Sequence, residues 1–298
     1  MKHTKLEGIV TAMITPFDSN GRISESGIAA LCDFLIEKGV NALFPGGSTG
    51  EGVLLSVEER KQLAELVLKH AQGRVPVVIH TGTNLPHETL ELTKHAESIG
   101  AAGAAMIPPF YYGYDDKCLL DYFGTIAEAT PQFPLYLYHI PINAKNDIKP
   151  ALVKELVKRY PNIVGLKDSS QDYLRFLDYV EELGEDFTIL MGSDCMILSC
   201  LIMDGKGGVT ANSTAFPEPF VEMYKYFKAG DLQKAKEMQM VCAKIRKIFR
   251  SSTFLTCYKV ALGFRGIDVG TARKPLREMS ADEQRTMRRL FEELGVLR

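Results

Sequence analysis

The sequence predicts an α/β fold closed into a (β/α)8 TIM barrel with a helical extension at its C-terminal end, and three observations carry that expectation. Eight short apolar runs alternate with segments of helical period, at a spacing of roughly 20–35 residues and with no low-complexity linker between them. Such alternation implies parallel strands with helical crossovers, and eight units favour a closed barrel over an open sheet. The turn after the first run, Thr15 to Asp18, has none of the glycines with which a doubly wound sheet would hold a phosphate.

Taken in order, residues 8–14 are an apolar run ended by the turn Thr15-Pro16-Phe17-Asp18. Residues 24–38 repeat with helical period and stop at Gly39, and 41–45 form the next strand, before Gly46-Gly47-Ser48-Thr49-Gly50-Glu51. Ser56 and Glu59 open a helix as a capping box, which runs to about His70. Residues 75–80 are a third strand and 86–99 a helix ended by Gly100; 104–107 are a fourth strand, before Pro108-Pro109-Phe110-Tyr111-Tyr112, and 115–129 a helix. Residues 134–138 make a fifth strand ahead of His139-Ile140-Pro141, and 150–159 a helix. The sixth strand, 163–166, stops at Lys167, and the helix 173–183 follows with its N-cap expected at Asp168 or Ser169. Residues 187–191 are a seventh strand before Gly192-Ser193-Asp194, 195–203 a short helix, and 207–210 the eighth strand. Beyond Pro217 the pattern is helical, over 218–227, 231–249, 255–262 and 281–294. The expected division is a catalytic barrel over residues 1–225 and a helical extension packed on it over 226–298.

The composition narrows the function. With 46% apolar and 24% charged residues the chain reads as globular, and a formal net charge of −2 with interspersed signs points to neither nucleic acid nor a membrane surface. No window approaches the length of a membrane span, and the N-terminus does not read as a signal peptide, so the expected location is the cytoplasm. The six cysteines (Cys32, Cys118, Cys195, Cys200, Cys242 and Cys257) lack metal-like spacing and are expected as reduced, small core residues; no metal site is expected.

Barrel chemistry sits where strands end. A lysine ending a buried strand must be paired, solvated or neutralised, so Lys167 either snorkels to the rim beside Asp168 or serves as an amine nucleophile that forms a Schiff base with a carbonyl. Gly47-Ser48-Thr49-Gly50-Glu51 is either a plain turn or a cup of N–H groups for a carboxylate or phosphate, with two hydroxyls added. Tyr138, ending the fifth strand beside Lys167, is either core or a proton carrier, and Tyr111 is a phenol with no obvious core role.

Together these stretches resemble the pyruvate-dependent class I aldolases typified by dihydrodipicolinate synthase and N-acetylneuraminate lyase. The resemblance spans nearly the whole chain and rests on Gly47-Ser48-Thr49-Gly50-Glu51, Pro109-Phe110-Tyr111-Tyr112, Tyr138-His139-Ile140-Pro141, Gly165-Leu166-Lys167-Asp168 and Gly192-Ser193-Asp194. It implies a (β/α)8 barrel with a three-helix extension, assembled as a homotetramer of two tight dimers, acting on small molecules (pyruvate and an aldehyde) without metal or organic cofactor. It makes Lys167 the Schiff-base lysine and Tyr138 its proton carrier. Gly47, Ser48 and Thr49 would hold the pyruvate carboxylate, Thr49 would link Tyr138 to a Tyr111 reaching in from the neighbouring subunit, and Val209 would pack on the pyruvyl methyl.

The second substrate is read from departures. Dihydrodipicolinate synthases place an arginine five residues beyond the motif tyrosine to bind the aldehyde's carboxylate, where this chain has Asn143. The neuraminate-lyase branch has an acid at Cys195 and a serine at Ala211, which disfavours sialic acid. The main expectation is therefore reversible cleavage of a 2-keto-3-deoxy sugar acid, or an N-acetylneuraminate-like acid, to pyruvate and an aldehyde, with Asn143, Ser169, Asp194 and Asn212 binding hydroxyls. The alternatives are 4-hydroxy-tetrahydrodipicolinate synthase, condensing pyruvate with aspartate semialdehyde, a sugar-acid dehydratase, or a keto-acid sensor without turnover.

Overall fold

The computed structural model describes residues 6–297. The first half of the barrel runs β1 (Gly8–Ala12), α1 (Glu25–Glu37), β2 (Ala42–Phe44), α2 (Val57–Ala71), β3 (Val78–His80), α3 (Pro86–Ser98), β4 (Gly103–Met106) and α4 (Asp116–Ala129). The second half runs β5 (Leu135–His139), α5 (Pro141–Ala144), α6 (Pro150–Arg159), β6 (Ile163–Asp168), α7 (Tyr173–Leu183), β7 (Thr188–Met191), α8 (Ile197–Ile202) and β8 (Gly207–Thr210). Helices α9 (Pro217–Lys228), α10 (Leu232–Arg250), α11 (Thr256–Phe264) and α12 (Ala281–Glu293) follow.

All eight strands are parallel, in the order β2-β1-β8-β7-β6-β5-β4-β3. The seam between β2 and β3 is closed by the single bridge Leu43–Val77, with the Leu43 N–H donating to the Pro76 carbonyl at 3.0 Å. Side chains alternate between two cores, as a pleated strand requires. Val10, Ala42, Phe44, Val78, Tyr136, Tyr138, Leu190 and Val209 fill the barrel, while Ile9, Leu43, Ile79, Leu135, Leu137 and Leu166 face the helices.

One irregularity in this alternation sets up the site. Ile163 and Leu166 both face the helices although they are three residues apart. The register slips between them: Leu135 pairs with Ile163, but Tyr136 pairs with Gly165. The extra residue, Val164, reverses the inside-outside phase, so Lys167 turns into the barrel and Asp168 outward.

The capping box read from the sequence forms as expected, Ser56 and Glu59 capping α2 reciprocally, and Ser24 caps α1 through the Gly27 N–H. Three expectations are corrected. The N-cap of α7 is Asp172, accepting from the Arg175 N–H at 3.1 Å, because Asp168 continues the strand and its carboxylate is engaged elsewhere. The single turn α5 was not anticipated; it is too short to show a helical period. Cys32, Cys200, Cys242 and Cys257 are buried free thiols, but Cys118 and Cys195 are exposed, Cys118 on the first turn of α4 and Cys195 in the turn after β7.

Candidate active site

Lys167 is only 6% exposed, and its Nζ sits 3.8 Å from the centroid of the Tyr138 ring and 4.9 Å from that of Phe44. Three strand ends, β2, β5 and β6, thus place an amine in an aromatic cage, where the ring faces attract it as a cation. The snorkelling alternative fails on direction. Asp168 faces away from the barrel, its Oδ1 lying 2.9 Å from His139 Nδ1 and accepting from the Ser170 N–H at 2.9 Å. His139 Nε2 lies 3.0 Å from Asp147, which pairs with Arg175 at 2.8 Å, so this polar chain stiffens the outer side of β5 and β6.

The Tyr138 phenol is fully enclosed. Burial pushes its pKa up, but the Lys167 charge and the polar groups of Lys167, Ser48 and Ser169 around the hydroxyl outweigh burial and hold the phenol below the usual tyrosine value. Ser48 comes from the turn after β2 and Ser169 from the end of β6, so the sequence-predicted residues Tyr138, Lys167, Ser48 and Ser169 converge on one point. Gly192, after β7, makes room for Ser169: a Cβ there would lie 1.9 Å from Ser169 Oγ and 2.9 Å from the Asp168 carbonyl oxygen.

The turn itself is a cup. Gly46 takes φ of +73°, and the N–H groups of Gly50 and Gly52 fold back onto the Gly47 carbonyl at 3.0 and 3.1 Å, with Glu51 N–H on Ser48 at 3.3 Å. None of these bonds uses the N–H of Ser48 or Thr49, and both residues are partly open to solvent. Two adjacent N–H donors beside a buried amine suit a carboxylate. Gly47 is buried, as a Cβ there would meet the Phe44 ring at 2.9 Å.

The other predicted residues scatter around the mouth. Val209 is buried inside the barrel on β8. Asp194 is 8% exposed and receives the Thr210 hydroxyl on Oδ1; burial raises its pKa, which that bond, Arg246 and Lys167 partly offset. Asn143 is exposed on α5. Tyr111 is exposed, stacks edge-on against Tyr112 with centroids 5.0 Å apart, and takes φ of +82°.

Three residues at the site were not singled out from sequence. Phe44 and His80 end β2 and β3 and point into the barrel, and the strand-end rule that selects Tyr138 and Lys167 selects them equally. Arg246, on α10, had no such signal; its Nε lies 4.0 Å from Asp194 Oδ2 and it donates to Gln171 Oε1 at 3.1 Å. Among the described residues no cluster of three or more His, Cys, Asp or Glu side chains could hold a metal ion, and no helix is long and apolar enough to cross a membrane.

The chain matches the Dihydrodipicolinate synthetase family over residues 5–294. Relatives include the 4-hydroxy-tetrahydrodipicolinate synthase of Methanopyrus kandleri, 33% identical over 294 residues and covering 98% of each chain. That of Thermus thermophilus is 34% identical over 291 residues, 97% of each. Among solved structures, YagE, a prophage protein from E. coli K12 belonging to the dihydrodipicolinic acid synthase family and solved in complex with pyruvate, superposes with a TM-score of 0.93 at 32% identity, over 97% of this chain and 99% of that one. The Ruminococcus gnavus sialic acid aldolase superposes with a TM-score of 0.92 at 26% identity, over 98% of both chains.

Proposed function

The chain belongs to the dihydrodipicolinate synthetase family, whose members are lyases and aldolases acting on pyruvate, and on that premise we propose that Lys167 forms a Schiff base with the keto carbon of pyruvate. The observation that carries the reading is the Lys167 amine buried 3.8 Å from the Tyr138 ring, beside a turn with two uncommitted N–H groups. The free amine attacks C2 while the Ser48 and Thr49 N–H groups hold the carboxylate. The carbinolamine then loses its oxygen as water, the proton being delivered through Tyr138, whose lowered pKa suits it to give and take protons. The resulting iminium withdraws electrons from C3, so an enamine forms there by proton loss and a carbon–carbon bond to an aldehyde is made or broken. The iminium is itself the electron sink, and no added cofactor is required.

The name carried by the relatives supports condensation with aspartate semialdehyde better than the sugar-acid expectation does. Two observations favour a 2-keto-3-deoxy sugar acid instead: Asn143, not a guanidinium, stands on α5, and the buried Asp194 keeps a carboxylate oxygen beyond the one that Thr210 bonds. A subunit contact of the kind the expected homotetramer needs is supported by the exposed Tyr111, Tyr112 and Tyr114, which a neighbouring subunit would cover.

Borohydride reduction in the presence of pyruvate should leave one reduced pyruvyl group, located by peptide mass at Lys167; an unmodified Lys167 would overturn the mechanism. Pyruvate consumption with aspartate semialdehyde against pyruvate release from a panel of 2-keto-3-deoxy acids then separates the two substrate classes.

A further inference from the structure

The barrel's least-bonded join lies directly under the carboxylate cup. Strands β2 and β3 end the sheet order and share one ladder bridge, and the Gly46–Glu51 turn springs from the end of β2. At the upper end of this seam the His80 N–H donates to the Pro45 carbonyl at 3.2 Å. Arg60 reaches across from α2 to the same place. It donates to the His80 carbonyl at 2.7 Å, to the Gly82 carbonyl at 3.1 Å and to the His80 ring at Nδ1, 3.1 Å away.

This arrangement fixes more than the backbone. Arginine has only donors, so Nδ1 of His80 must accept and the ring proton must sit on Nε2. The ring is held neutral: burial, then the Arg60 and Lys167 charges, keep its pKa well below the usual histidine value, with the Gly46 carbonyl acting weakly the other way. The neutral ring stands edge-on to Tyr138, with centroids 5.8 Å apart at 88°, and lies 6.1 Å from the Phe44 ring, the two rings that cage Lys167 Nζ. Arg60 itself is 7% exposed, and burial brings its guanidinium down to about 10. A cation buried against carbonyls and a neutral imidazole is costly, so an apolar side chain would serve packing alone better.

We propose that Arg60 and His80 act together as a positioning pair for pyruvate, clamping the β2–β3 seam so that the Ser48 and Thr49 N–H groups stay at a fixed distance from the Lys167 amine. This inference rests on the Schiff-base reading of the site. Neither side chain bonds the Lys167 amine, whose cage is Phe44 and Tyr138, so the pair's loss displaces the cup and leaves the nucleophile in place. A displacement of about 1 Å at a carboxylate-binding site costs roughly tenfold or more in productive binding.

The test is the pyruvate dependence of borohydride trapping at Lys167, in the full-length protein and in Arg60→Met, His80→Phe, the double variant and Arg60→Lys. Arg60→Met and His80→Phe should each raise half-saturating pyruvate about tenfold, while the trapping rate at saturation changes less than about threefold. The double variant should be no worse than Arg60→Met alone, because His80→Phe removes only the ring's part of the clamp that Arg60→Met removes entirely. Arg60→Lys, which still donates to a carbonyl, should recover part of the loss. If Arg60→Met does not fold, His80→Phe reads the same effect, since phenylalanine keeps the ring's volume between Phe44 and Tyr138. Half-saturation within twofold of the parent in a folded variant, a saturating rate that falls in step with affinity, or additive losses in the double variant would each overturn the clamp. Failure of the parent itself to be trapped at Lys167 would overturn the Schiff-base reading instead.

Discussion

At the scale of single residues, the site is two titratable groups that modify one another. Lys167 sits over the Tyr138 ring, and its charge, with the hydroxyls of Ser48 and Ser169, outweighs the burial that would raise the phenol. Tyr138 should therefore lose its proton earlier than a free tyrosine as pH rises, which is the correct direction for a group that passes protons near neutrality. Tyr138→Phe keeps the ring under the amine and removes only the hydroxyl. It should lower kcat by about 10²–10⁴-fold while Lys167 remains in its cage. An ultraviolet difference titration should show one early-ionising tyrosine in the parent that the variant lacks; equal titrations, or a fully active variant, would count against the assignment. Lys167 and Tyr138 were legible because a polar residue closing an apolar run is conspicuous. His80 closes a run just as they do, but its partner Arg60 lies on another element, and a sequence does not display that pairing.

At the scale of elements, the helices were legible from their period, and α2 also from its cap, because a Ser whose oxygen takes an orphan N–H is a local signal; the cap expected for α7 at Asp168 or Ser169 falls instead at Asp172, where the strand has ended. The strands' existence was equally plain, but the phase of β6 was not. Strict alternation from Ile163 would have sent Lys167 out toward the helices, and only the pairing of Tyr136 with Gly165 reveals the slip at Val164. Long-range pairing decides that, and no local propensity records it. The junction of β6 with β7 is as closely set. Gly192→Ala would place a methyl group 1.9 Å from Ser169 Oγ, so the serine must turn away from Tyr138. The expected result is a loss of about 1–3 kcal/mol in stability from overpacking, together with a fall in kcat/KM. Urea denaturation read beside steady-state rates checks this, and an alanine variant with unaltered activity would show that Ser169 does not support the phenol.

At the scale of the whole molecule, the extension reaches back to brace the barrel's cup. Glu51, the last residue of the turn, has φ of +57° and is 2% exposed; its Oε1 pairs with Lys259 Nζ on α11 at 2.9 Å and its Oε2 accepts from the Arg273 N–H at 2.7 Å. Lys259 also donates to the Thr271 carbonyl at 2.7 Å and lies 4.1 Å from the Phe17 ring centroid. The motif showed Glu51 at sequence level, but its partners lie more than two hundred residues away, and only the folded chain identifies the acid as structural. Burial lowers Lys259 to about 8 even with Glu51 opposing it. Glu51→Gln removes that opposition, so the folded-state pKa of Lys259 falls further below its unfolded value of about 10.4. Below the folded pKa the variant must bury an uncompensated ammonium, at a cost of about 3–5 kcal/mol. As pH rises through about 8 the folded parent also sheds the Lys259 proton, neither protein any longer buries the ammonium, and the difference closes. Chemical denaturation of both proteins at pH 6.5 and pH 9 should therefore show a large gap at the lower pH and a small one at the higher. A gap of the same size at both would mean that Glu51 holds the cup through the Arg273 backbone bond and not through the charge of Lys259.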